Sequence, residues 1–136
     1  MNDIGLTHIA LPCRSLTASI EFYGIYASMQ VIHSRPGVVW LSDRTRPFAI
    51  VLIETSANIV SLMPWAHLGV ALASREAVDL LCLRAEGEGC LARPPEDSGP
   101  PVGYWAFLRD PDGHTLELAF GQEIGALLGL ASDACK

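Results

Sequence analysis

Thr7-His8-Ile9-Ala10-Leu11, and again Ala66-His67-Leu68-Gly69-Val70-Ala71-Leu72, put a histidine at the head of an apolar, strand-like run. Seven residues after each histidine stands a serine, Ser15 and Ser74. A serine there suits a helix N-cap, because its hydroxyl accepts one of the free first-turn N–H groups. Behind Ser15, the apolar residues Leu16, Ile20, Tyr23 and Ala27 recur at spacings of four, three and four, one face of a helix. Behind Ser74, Ala77, Val78, Leu81, Cys82 and Ala85 do the same before Gly87 and Gly89 end the helix. The chain therefore begins twice in the same way.

It also continues twice in the same way. The first helix is followed by three predicted strands, Met29 to Arg35, Val38 to Leu41 and Phe48 to Thr55, divided by Pro36-Gly37 and by Asp43 to Pro47. The second is followed by a short strand near Cys90 to Arg93, then Gly103 to Leu108 and Thr115 to Phe120. Pro94, Pro95, Pro100 and Pro101 read as the intervening loop, and Asp110-Pro111-Asp112-Gly113 as a tight turn. Each half is strand–helix–strand–strand–strand, over about residues 5–56 and 65–121, with a linker around Ser56 to Pro64 and a short final helix over about 122–130. The class is α+β. Neither half alone covers both faces of its helix and sheet, so the two are expected to pack as one domain.

Composition limits what such a chain does. Of 136 residues, 50% are hydrophobic and 18% charged, which is a globular rather than a disordered balance. The longest apolar run, Phe48 to Ile53, is far short of the ~20 residues that span a bilayer. Met1-Asn2-Asp3 offers no basic stretch before an apolar one, so a cytoplasmic location is expected. Net charge is −6 and the only lysine is Lys136, while the arginines are scattered. Nothing forms a basic stripe, which argues against nucleic acid and against an anionic membrane surface. Cys13, Cys82, Cys90 and Cys135 show no C-x-x-C spacing and read as buried reduced thiols rather than disulfides or a zinc knuckle.

The chemistry concentrates on three residues. On the last strand Thr115, Glu117 and Ala119 share one face, opposite Leu116, Leu118 and Phe120. A carboxylate flanked by large apolar neighbours is costly unless it is paired or binds a metal. His8 and His67 hold matching positions in two halves that the repeat relates by a pseudo-twofold, and such an axis brings equivalent positions together. Two histidines and one glutamate with open positions left over make the 2-His-1-carboxylate ligand set. His8, His67 and Glu117 are therefore the predicted ligands of one divalent ion, Fe2+, Mn2+, Ni2+ or Zn2+.

Three stretches also carry a family likeness: Gly5-Leu6-Thr7-His8-Ile9-Ala10-Leu11, the phrase Glu21-Phe22-Tyr23, and Phe107-Leu108-Arg109-Asp110-Pro111-Asp112-Gly113-His114-Thr115-Leu116-Glu117-Leu118. Together they resemble the vicinal oxygen chelate superfamily, which includes glyoxalase I, extradiol dioxygenases, fosfomycin-resistance thiol transferases and bleomycin-resistance proteins. The resemblance implies paired βαβββ modules forming curled mixed sheets around a metal-bearing cavity. It places His8, His67 and Glu117 at the metal-ligand positions. It further implies a small-molecule substrate that chelates the metal through adjacent oxygens, and a homodimer, with the ligand set completed within one chain or across a swapped pair.

Within that family the sequence narrows the choice only partly. Glyoxalase-like isomerases add a fourth ligand from the last strand of the first half. Aligning Asp43 with Asp110 puts Ile50, Leu52 or Glu54 opposite Glu117, depending on turn length, so Glu54 is a candidate for that role, although a triad is expected. The extradiol pattern wants a tyrosine where Phe107 stands and a histidine upstream, leaving His33 and Tyr104 as candidate acid–base groups. Fosfomycin transferases hold a phosphonate with cations, and Pro94 to Val102 has none. Bleomycin-resistance proteins usually lack the ligand set that is intact here. Trp40, Trp65, Phe107, Trp105 and Leu52 are the expected apolar walls. The expected function is a metal-dependent dioxygenase, isomerase or lyase. A ligand-sequestering module without catalysis, or a thiol transferase of the fosfomycin-resistance type, is the alternative.

Overall fold

The computed structural model describes residues 2–130, so Cys135 and Lys136 lie outside the described residues. The chain divides into two compact units, Met1–Met63 with Asp110–His114, and Pro64–Arg109 with Thr115–Lys136. The first contains β1 (His8–Cys13), α1 (Leu16–Ala27), β2 (Gln30–Arg35), β3 (Val38–Ser42) and β4 (Ala49–Glu54). The second contains β5 (Leu68–Ala71), α2 (Arg75–Glu88), β6 (Leu91–Asp97), β7 (Tyr104–Arg109), β8 (Thr115–Phe120) and α3 (Ile124–Leu127). Each unit has one open four-stranded mixed sheet, in the orders β1-β4-β3-β2 and β5-β8-β7-β6. Only the first-named pair in each is parallel. The fold is α+β, built from two βαβββ modules. Among the described residues no helix is long and apolar enough to cross a membrane.

Both helices start where the sequence places them. The Ser15 hydroxyl accepts from the Ala18 N–H at 3.2 Å, and the Ser74 hydroxyl from the Ala77 N–H at 3.1 Å. These bonds satisfy first-turn donors that have no partner inside the helix. α1 lies on the face of its sheet that carries Leu11, Cys13, Ile50 and Leu52, and its own Phe22, Tyr23 and Tyr26 are buried there. α2 covers the face with Ala106, Leu108, Leu116 and Leu118 through Val78, Cys82 and Ala85. Burying these side chains supplies the main stabilising term in each unit, at about 25 cal/mol per Å² of apolar area. The opposite face of each sheet carries no helix of its own unit.

Three boundaries differ from the sequence expectation. β6 runs on through Pro94 and Pro95 to Asp97, where the prolines suggest a loop. β6 is an edge strand, with register shifts against β7, so the missing proline N–H groups remove no necessary ladder bond. The final helix is a single turn, Ile124–Leu127. The turn between β7 and β8 belongs to the first unit, and its hydrogen bonds say why. Asp110 accepts from the buried Tyr23 hydroxyl at 2.8 Å, and its other oxygen accepts from the Asp112 and His114 N–H groups. His114, almost fully buried, accepts at Nδ1 from the Leu62 N–H, which leaves Nε2–H to donate to the Pro12 carbonyl at 2.9 Å. Gly113 adopts φ 84°, and a Cβ there would stand 2.8 Å from the Ser61 hydroxyl, so glycine is needed on both counts.

Candidate metal centre

In the second unit, strand register sets four residues side by side across the sheet. Gly69 on β5 is opposite Glu117 on β8, which is opposite Phe107 on β7, which is opposite Arg93 on β6. Cross-strand partners share a face. This row lies on the face turned away from α2, and Trp105 and Ala119 occupy the same face one step along. His67, two residues before Gly69, stands at its head.

Glu117 is 7% exposed, and among the described residues no hydrogen-bond donor reaches its carboxylate. No fully buried side-chain polar atom among the described residues is left without a partner, so its oxygens must keep an opening to solvent. Burial pushes the Glu117 carboxyl above the ordinary carboxylate range, and the nearby His67, when protonated, pulls it part of the way back. An uncompensated, nearly buried carboxylate is expensive to maintain. Glycine opposite it is what makes room: a Cβ at Gly69 would lie 3.1 Å from Glu117 Oε2.

His67 is oriented to offer its second nitrogen. Nδ1 lies 3.1 Å from the Pro64 carbonyl oxygen, an acceptor only, so Nδ1 carries the proton and donates it. Nε2 then keeps its lone pair, the arrangement metal-ligating histidines use when a backbone carbonyl fixes the ring. The ring also packs against Phe107, with centroids 5.1 Å apart. A carboxylate without a protein donor beside a histidine with a free lone pair is a donor set suited to a divalent metal.

His8 heads β1 in the first unit, opposite Ala49, at the position that matches His67. It is exposed, and its Nδ1 lies 2.9 Å from the Thr7 hydroxyl. Within each unit, among the described residues, no three His, Cys, Asp or Glu side chains come close enough to hold an ion by themselves. The second unit thus brings together two of the three predicted ligands.

The weaker candidates fall differently. Glu54 pairs with Cys13 on the α1 side of its sheet, and its Oε2 accepts from the Leu16 N–H at 3.2 Å. A carboxylate on the first turn of α1 stabilises the helix N-terminus. The register counterpart of Glu117 in the first unit is Val51, opposite Ala10 and Trp40, because the turn after β3 shifts the alignment by one residue from that assumed from Asp43. Tyr104 lies on the α2 side, where its hydroxyl hydrogen-bonds Asp79 at 2.5 Å and its ring sits under Arg75, so it does not share the Glu117 face. His33 does lie on the helix-free face of the first sheet, against Trp40, with Arg35 Nε donating to its Nε2 at 3.5 Å. Of the expected walls, Phe107, Trp105 and Trp40 occupy helix-free faces. Leu52 is buried under α1, away from that face, and Trp65 is 93% exposed ahead of β5. Arg93 reads in the sequence as one of several scattered arginines, standing one residue before the cation-free stretch Pro94 to Val102. The strand signal at Cys90 to Arg93, extended through the prolines, is what would have placed it.

Comparison with known proteins agrees with this architecture. A family model described as the Glyoxalase/Bleomycin resistance protein/Dioxygenase superfamily matches residues 5–118, and the chain belongs to that superfamily. An uncharacterized protein of Pseudomonas aeruginosa, PA2024, is 42% identical over 128 residues, spanning 88% of this chain and 91% of its own. A possible glyoxalase from Bacillus cereus shares the fold with a TM-score of 0.68 at 23% identity, over 86% of this chain and 99% of that one. The fosfomycin resistance protein FosX of Listeria monocytogenes does so with a TM-score of 0.71 at 20% identity, over 92% and 96%. A mutant of that protein has been solved with Mn(II) and a dihydroxypropylphosphonic acid, with a TM-score of 0.68 at 22% identity, over 85% and 88%.

Proposed function

We propose that the chain is a metal-dependent enzyme of the glyoxalase/dioxygenase type, with His67 and Glu117 as two ligands of one divalent ion and His8 as the third. The observation that carries the reading is the nearly buried Glu117 carboxylate, without a protein donor and beside a histidine whose Nδ1 is already committed to Pro64. The repeat supports His8, which holds the position of His67 in the first module. The Mn(II) held by the Listeria relative makes Mn2+ a reasonable first ion to test, with Fe2+, Ni2+ and Zn2+ beside it. Such an ion would supply Lewis acidity toward two adjacent oxygens of a small substrate.

The chain's own residues define what surrounds that chemistry. Glu117 and His67 hold their donor atoms in place, with Gly69 leaving the carboxylate its room. Phe107 and Trp105, ring centroids 4.8 Å apart, form an apolar wall beside Glu117 that excludes water and strengthens charge interactions there. Dioxygenase, isomerase and lyase chemistry all begin from this arrangement. The family likeness also leads us to expect a cytoplasmic homodimer, which light scattering would report as twice the chain mass.

The test is elemental analysis of protein purified without chelators, for wild type and His67→Ala. Wild type is expected to carry close to one ion per chain and to melt higher when the ion is restored after stripping. His67→Ala is expected to keep its fold and lose most of its metal. Wild type that binds none of the four ions, or a variant with full stoichiometry, defeats the reading.

A further inference from the structure

Arg93 gives the proposed metal site a second recognition element. Its backbone lies two strands from Glu117 along one register row, so at about 4.8 Å per strand the two are separated by roughly 10 Å on the same face. Its guanidinium carbon sits 4.8 Å from the centroid of the Trp105 ring, and one terminal nitrogen donates to Glu96 at 2.8 Å. Trp105 is itself fixed, since its indole N–H donates to the Ser98 hydroxyl at 2.9 Å. A half-exposed arginine ordinarily samples many rotamers. Here the stacked ring and the carboxylate narrow that freedom before any ligand arrives.

The same contacts leave the charge usable. A guanidinium has five N–H donors, and Glu96 engages one nitrogen. From Arg93 a chain of ring contacts runs through Trp105 and Phe107 to His67, at centroid spacings of 4.8 and 5.1 Å, with Phe107 standing next to Glu117 in the row. The face therefore offers a metal-binding end, an aromatic middle and a cationic end. Arg109 is the other cation on this face, but it lies at the turn end of β7, and among the described residues no ring or carboxylate holds it.

We infer that Arg93 is a specificity-determining residue, selecting a substrate that carries a carboxylate at the end opposite its two metal-chelating oxygens. The inference rests on the metal reading above and adds the substrate class. Its test uses two vicinal diols that differ by one group, catechol and 3,4-dihydroxybenzoate, titrated into Mn(II)-loaded protein by calorimetry. Wild type is expected to hold the carboxylate-bearing diol about 10-fold more tightly, the worth of one charge-assisted hydrogen bond. Arg93→Gln is expected to abolish that preference while leaving catechol binding and Mn(II) affinity unchanged. Arg109→Gln is expected to leave it alone. Equal affinities in wild type, a preference that survives Arg93→Gln, or one that disappears with Arg109→Gln overturns the inference and leaves the metal site standing. Protein that takes up no Mn(II) overturns both.

Discussion

Set side by side, the two modules carry the same row across the helix-free face of their sheets. In the second it reads Gly69, Glu117, Phe107, Arg93, and in the first Ala10, Val51, Trp40, His33. A histidine heads each, His67 and His8. The scaffold is common to both, down to a serine N-cap and an aromatic residue next to the central position. The difference that bears on the metal reading is one pair of residues. The second module has a carboxylate with glycine opposite, and the first has valine with alanine opposite. Val51 is a buried side chain that needs nothing further, whereas Glu117 is buried and needs a partner. Duplicated scaffolds thus come to hold chemistry asymmetrically. One half keeps the charge and the space around it, and the other keeps an apolar filling.

The comparison is broken most severely by Glu117→Val, which rewrites the second row toward the first. Metal affinity is expected to fall by more than about 100-fold, beyond the 10–100-fold that follows loss of an outer-shell partner. The metal-free variant is nonetheless expected to melt higher than metal-free wild type at neutral pH. Burial raises the Glu117 pKa above its unfolded value, so the native state binds the extra proton and this group's contribution to stability declines as pH rises through that window. The gap between variant and wild type should therefore close as pH is lowered, a trend that thermal melts at several pH values would display or refute.

A milder intervention is Gly69→Ala, which gives the second row the Cβ that Ala10 gives the first. The added carbon would meet Glu117 Oε2 at 3.1 Å, so the carboxylate must give way by a few tenths of an ångström. About 10-fold weaker metal binding is expected with little change in the metal-free melting temperature. Calorimetric titration against Ala10→Gly as control would show whether space beside the carboxylate is what matters. The smallest effect is reserved for Glu54→Ala. Removing its bond to the Leu16 N–H should cost about 0.5 kcal/mol of stability and leave metal affinity untouched. A loss of metal affinity would return Glu54 to the ligand set.

How much of this was legible in the sequence follows from the kind of signal each feature leaves. The repeat, both N-caps and the face shared by Thr115, Glu117 and Ala119 were readable, because period and capping chemistry are local. Register was not. The counterpart of Glu117 is Val51 rather than Ile50, Leu52 or Glu54, since a single residue in the turn after β3 moves every later side chain to the other face. Arg93 was hidden by Pro94 and Pro95, which read as a break yet sit without penalty on an edge strand. The task of Glu54 at the start of α1 and the packing of Tyr104 with Asp79 and Arg75 depend on helix placement against a sheet, which no local pattern encodes.

The central claim is that His67 and Glu117 bind one ion. Crystals grown with Mn(II) and measured near the manganese absorption edge test it most directly. The expected anomalous map has one strong peak per chain, with His67 Nε2 and a Glu117 oxygen each within about 2.0–2.2 Å of it, as imidazole and carboxylate ligands of first-row metals lie. A map without a peak there, or one whose peak is held by other side chains, would contradict it.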